Sequence, residues 1–96
     1  MCMLDTVLAR REDIYAVARK HKIEKVYVFG SCARKTETPD SDVDFLVEFD
    51  KGASLLDQVH ASDELRGMFN REVDVVSLRG LSPYIGSRIL AEAVPV

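Results

Sequence analysis

Most of the features that would assign this 96-residue chain to a class at sight are missing from it. No apolar run approaches the roughly 18 residues of a membrane-spanning helix. The first residues lack the apolar stretch of a secretory leader, so a cytoplasmic protein is expected. The two cysteines, Cys2 and Cys32, have no metal-ligand spacing and are expected to be free thiols in a reducing compartment. The two histidines are placed no better: neither His21 nor His60 stands at ligand spacing from another His or Cys. His21 falls near a helix C-terminus, where a cation is favourable. Positive charge is not in excess either. Thirteen Lys and Arg against sixteen Asp and Glu leave a net charge of −3, which argues against the broad footprint of a nucleic-acid-binding protein. No repeat, low-complexity stretch or linker interrupts the chain, so 1–96 is expected to form one small domain. That leaves little room for a separate substrate-binding unit, and specificity is expected to come from a partner. No G-x-G-x-x-G fingerprint occurs, which excludes the usual dinucleotide-binding turn.

What is present is a globular composition, 47% apolar and 30% charged, with clear periodicities. Leu4, Val7, Leu8, Ile14, Val17 and Ala18 recur at approximate helical spacing and predict a helix over Asp5–His21. Lys25–Phe29 reads as a strand. A short helix over Ser31–Lys35 and a loop over Thr36–Ser41, with Pro39-Asp40 as turn, follow. Asp42–Phe49 is the second strand. Ser54 is a plausible N-cap for a helix ending near Phe69, Glu72–Ser77 is the third strand, and Ser82-Pro83 starts a last helix that fades near Ala93. This order predicts an α+β fold, a small mixed sheet with helices packed mainly on one face.

The chemistry concentrates in three acids. On a strand, residues two apart share a face at roughly 6.5–7 Å, so Asp42 and Asp44 project side by side and repel. Asp74 interrupts a β-branched run, where a lone acid is costly to bury unless paired or bound to metal. If the two strands are neighbours, all three carboxylates converge. At an effective dielectric of about 20, two charges about 4 Å apart interact by about 4 kcal/mol. Divalent cations relieve that repulsion, and Mg²⁺ takes such oxygen ligands together with substrate phosphates. Residues 30–50 hold six acids, Glu48 and Asp50 among them, against Arg34 and Lys35, which suggests an acidic pocket that draws in a metal and then a nucleotide. Gly30 ends the first strand and allows close approach of backbone or ligand. Ser31 offers a hydroxyl, whether as helix N-cap or as phosphate contact, at a helix start suited to anions. Arg34 is placed either as a phosphate ligand or as a surface ion-pair partner.

Gly30-Ser31-Cys32-Ala33-Arg34 followed by Ser41-Asp42-Val43-Asp44-Phe45-Leu46-Val47 resembles the signature of the DNA polymerase β-like nucleotidyltransferases, with Asp74 as the third acid of that pattern. The small size points to its minimal nucleotidyltransferase branch, whose members are often antitoxins paired with HEPN-domain ribonuclease toxins. Where the family commonly has glycine after the arginine, this chain has Lys35, and Cys32 also departs from the usual residue types. The resemblance implies metal ligation by Asp42, Asp44 and Asp74, which are also the catalytic acids, and nucleotide contacts from Gly30, Ser31, Arg34 and Ser41. It implies two Mg²⁺ ions and ATP as substrate. It further implies transfer of AMP to a hydroxyl, a tyrosine of a HEPN toxin, within a hetero-oligomer. The alternative is an antitoxin that masks its toxin without catalysis.

Overall fold

The computed structural model describes residues 3–30, 33 and 42–96. The helix and loop expected over 31–41 therefore fall almost entirely outside the described residues, as do Cys2 and Cys32.

The first expected helix is in fact two, α1 (Met3–Ala9) and α2 (Arg11–Lys20). They part at Arg10, whose backbone sits at φ −105° and ψ 23°. The break directs the guanidinium onto the end of a distant helix, α3 (Leu55–Phe69). There Nη1 donates to the Met68 carbonyl at 2.7 Å, and the cation lies 5.7 Å from the Phe69 ring centroid. Free carbonyls at a helix C-terminus take such donors readily. The apolar spacing that runs through 4–18 is blind to this contact.

Helix α3 begins where its sequence says it should. The Ser54 backbone N–H donates to the Asp57 carboxylate at 2.9 Å, an N-terminal capping contact that holds the Asp57 carboxyl below its ordinary range. It ends at Asn70, in the left-handed conformation at φ 51°. Strands β1 (Ile23–Phe29), β2 (Val43–Phe49) and β3 (Val73–Ser77) are joined by a two-residue β4 (Val94–Pro95) that the sequence reading did not foresee. The spatial order is β3-β2-β1-β4. β1 runs antiparallel to β2 and β4, while β2 and β3 are parallel. The sheet is mixed and the fold α+β, as expected.

Alternation divides β2 between two faces. Val43, Phe45, Val47 and Phe49 enter the core, where Val7, Ile14, Ala18, Ala61 and Leu65 of α1, α2 and α3 cover them. Asp44, Leu46 and Glu48 point the other way. Leu46 is fully buried yet stands outside that core cluster. After β3 the chain makes a 3-10 turn (Leu78–Gly80) that contacts β2, then α4 (Pro83–Glu92), which contacts β1 before β4. Pro83 opens α4, and Ser82 Oγ accepts the Ile85 N–H at 3.3 Å. None of the described helices is long and apolar enough to cross a membrane.

Candidate active site

Among the described residues, the acids gather on the second face at the end of the sheet where β2 and β3 begin and antiparallel β1 finishes. Asp44 is the second residue of β2, and its register partner is Asp74, the second residue of β3. Paired residues of adjacent strands lie about 4.8 Å apart at Cα and share a face, so the two carboxylates stand as neighbours. Asp74 is exposed and Asp44 half-buried. Asp42 lies two residues before Asp44, exposed and just ahead of β2. A loose sequence expectation, that two acid-bearing runs are neighbours, is here a definite pairing.

Phe29 is the partner of Asp44 on β1, so Gly30 arrives directly beside that carboxylate. Gly30 has φ 73°, a conformation that side-chain-bearing residues rarely adopt. A Cβ placed on it would run into Oδ2 of Asp44. Glycine is thus required twice, by its own backbone and by the acid pressed against it. Ser31, Arg34 and Ser41 lie outside the described residues.

Among the described residues no three His, Cys, Asp or Glu side chains close into a metal centre. What the sheet supplies is a cross-strand pair of hard oxygen donors with Asp42 at its margin. Mg²⁺ is typically held by one or two carboxylates and completed by water and phosphate oxygens. The tight seat of Asp44 against Gly30 fixes one of those carboxylates, and the residues present fit such an ion.

Of the six acids between 30 and 50, Glu37 and Asp40 lie outside the described residues, and Asp50 stands apart from Asp42 and Asp44. Asp50 follows the last residue of β2, six residues beyond Asp44 and so about 20 Å along the strand. It interacts with Glu24, and the Asp50 hydrogen bond and charge hold the Glu24 carboxyl above its ordinary range, with Glu48 adding to the effect. Sequence proximity had merged two separate acidic groups. His21 is buried, and its Nε2 meets Glu64 Oε1 at 3.1 Å. The His60 ring packs edgewise at 6.0 Å between centroids.

The sequence reading also passed over what braces β3. Gln58 Nε2 donates to the Val75 carbonyl at 2.7 Å, and Ser62 Oγ to that of Val73 at 3.5 Å. Helix α3 thereby satisfies the outer carbonyls on either side of Asp74 and holds its strand in register. A polar Gln58 between Leu55 and Val59 was the available signal, though it has no meaning until the strand edge is known to lie there.

Residues 12–96 match the family described as polymerase beta, nucleotidyltransferase. A protein of Methanocaldococcus jannaschii, named as a candidate protein adenylyltransferase, is 41% identical over 86 residues, covering 90% of this chain and 92% of its own. The protein adenylyltransferase MntA of Thermococcus cleftensis is 32% identical over 93 residues, covering 88% of this chain and 94% of its own. A solved structure described as a candidate minimal nucleotidyltransferase superposes with TM-score 0.88 at 42% identity, covering 100% of this chain and 97% of that one. A tri-AMPylated HEPN toxin of Shewanella oneidensis in complex with an MNT antitoxin gives TM-score 0.68 at 19% identity, over 92% of this chain and 69% of that one; this likeness is one of fold. With the Gly30–Asp44 seat and the Asp44–Asp74 pair already in place, these matches are decisive: the chain belongs to the polymerase beta nucleotidyltransferase family, as a minimal nucleotidyltransferase.

Proposed function

We propose that the chain is a Mg²⁺-dependent protein adenylyltransferase that moves AMP from ATP to a hydroxyl of a partner protein, a tyrosine of a HEPN-domain toxin, and so acts as its antitoxin. The observation that carries this reading is the Asp44–Asp74 register pair with Gly30 seated against Asp44. The relatives named as protein adenylyltransferases, and the fold shared with the antitoxin of an AMPylated HEPN toxin, support the group transferred and the kind of acceptor.

Asp42 and Asp44 would hold two Mg²⁺ ions, one of them on the triphosphate side, and Asp74 would help hold the other on the acceptor side. Bound Mg²⁺ supplies neutralisation of the triphosphate and a lowered pKa of the acceptor hydroxyl. Gly30 brings the backbone close enough to cradle the β and γ phosphates without a Cβ in the way. Ser31, Arg34 and Ser41 add hydroxyl and guanidinium contacts to the nucleotide. The acceptor hydroxyl gives up its proton to solvent as its oxygen bonds to the α-phosphorus, and the bond from that phosphorus to the leaving pyrophosphate breaks. Residues 1–96 act as one domain, in the cytoplasm, within a hetero-oligomer with the toxin, whose body contributes to specificity. Direct nucleic-acid binding forms no part of this function, given the net charge of −3.

The test incubates α-labelled ATP and Mg²⁺ with the HEPN-domain protein of the same genome, using wild type and Asp44→Asn. Label on the HEPN protein that vanishes in the variant is the expected result. A tight complex that never takes label refutes transfer and leaves masking of the toxin as the mechanism.

A further inference from the structure

Helix α3 carries an unusual burden outside the core. Leu55 is 75% exposed, Leu56 65% and Val59 47%. All three lie in its first half, while the residues it buries are Ala61 and Leu65. Gln58 and Ser62 take the positions facing β3, where they cap its edge carbonyls. Leu55 and Val59, one helical turn apart, then stand beside the strand edge and not beneath it. Between them and β3 runs a groove of about 290 Å³ whose wall includes Leu55, Val59 and Ser62, and whose far side is Val73-Asp74-Val75. At the end away from Leu55 its rim is the Arg66–Asp63 ion pair, at 2.8 Å.

Asp74 is thus among the residues that line this groove, at the outer edge of β3. Resting on the transferase reading above, which puts the acceptor hydroxyl at Asp74, the polypeptide on one side of that hydroxyl reaches this groove by crossing the outer edge of β3, the edge strand of the sheet. We infer that the α3–β3 groove is the docking surface for the acceptor protein, taking a segment whose apolar side chains seat on Leu55 and Val59 while its hydroxyl reaches Asp74. Among the described residues the groove's exposed wall is aliphatic, with no aromatic face for a base, which favours a protein segment over the nucleotide as occupant. A protein segment is also favoured over a lipid surface, because the groove's charged members, Asp63, Arg66 and Asp74, do not sum to a basic rim.

The test is Leu55→Gln/Val59→Gln, a neutral pair of good helix formers that leaves the charge near Asp74 unaltered. Leu90→Gln on α4, another exposed aliphatic at 39%, serves as control, and the single Leu55→Gln stands in if the pair fails to fold by circular dichroism. With the HEPN-domain protein as acceptor, KM for that protein rises about tenfold or more. kcat and the Kd for Mg-ATP stay at wild-type values, and the control changes nothing. A KM within twofold of wild type overturns the proposal while transfer itself stands. If wild type transfers no label, the transferase reading fails and the groove is judged by calorimetry on the complex alone. A tenfold weaker Kd in the variant sustains it, whereas an unchanged Kd or no complex overturns it. A wild-type dimer that the substitutions dissociate, with acceptor kinetics unaltered, makes a second copy of the chain the occupant and overturns it as well.

Discussion

Gly30→Ala is the substitution whose consequences the structure fixes most closely. At φ 73° the new methyl group meets the left-handed penalty, about 1–2 kcal/mol for a residue with a Cβ. It also meets the Asp44 carboxylate, which has to move to admit it. Together these put the loss of stability at about 2 kcal/mol, a fall in Tm of roughly 8–16 °C for a domain of this size. The functional loss is separate and larger in effect, because a reacting group displaced by about 1 Å costs on the order of a hundredfold in rate. Thermal denaturation by circular dichroism gives the first number, and label transfer well below the melting transition gives the second. Gly67 is the internal control: it lies in α3 with nothing within 4 Å of an added Cβ. Gly67→Ala should raise stability by about 0.5–1 kcal/mol through helix propensity. A Gly30→Ala protein that melts within about 2 °C of wild type would refute the seat described for Asp44, whatever its activity.

Asp74→Asn should abolish most transfer yet leave the metal-free protein as stable or more so, by up to about 1 kcal/mol. It removes one of two adjacent carboxylates in a well-hydrated position; melting at low ionic strength without Mg²⁺ reads the sign, and a destabilised variant counts against the pair. Leu65→Ala, at a residue 2% exposed between α3 and the sheet, should cost about 2–5 kcal/mol in denaturant unfolding. Glu64 provides a pH test. The hydrogen bond with His21, and then that from Lys20, lower its carboxyl from the ordinary 4.5. The folded state therefore favours the carboxylate, and the resulting stability is full above that value and lost as pH falls through the lower folded one. The Tm difference between wild type and Glu64→Gln should accordingly shrink on acidification from about pH 6 to pH 3, and a constant difference would remove the linkage.

The strands around the acids were legible because strand periodicity is local. Each alternation of apolar and acidic residues in Asp42–Phe49 and Glu72–Ser77 records which face a side chain takes, and β2 and β3 begin within one residue of those limits. The α3 start at Ser54 and the α4 start at Ser82-Pro83 were legible for the same reason, since a cap acts within three residues. The break at Arg10 was not, because the contact that goes with it is to a carbonyl at Met68, far away in the chain. Nor was β4, because two residues carry no alternation and exist as a strand only by pairing with Tyr27 and Val28. The acidic run misled in the opposite direction: proximity along the chain suggested one pocket, while an extended strand carries Asp50 to the far end of the sheet.

By itself, then, the sequence determined most of the elements, the shared face of Asp42 and Asp44, and a residue at position 30 that lets backbone or ligand come close. These follow from backbone geometry within a few residues. Only the tertiary structure decided that β3 runs parallel beside β2 with Asp74 level with Asp44. It also decided that the Asp44 carboxylate closes on Gly30 and that Leu55 and Val59 stay outside next to Asp74. Those are relations between segments about 15 to 30 residues apart in the chain, set by which edges and faces find one another when the core closes, and no local pattern encodes them.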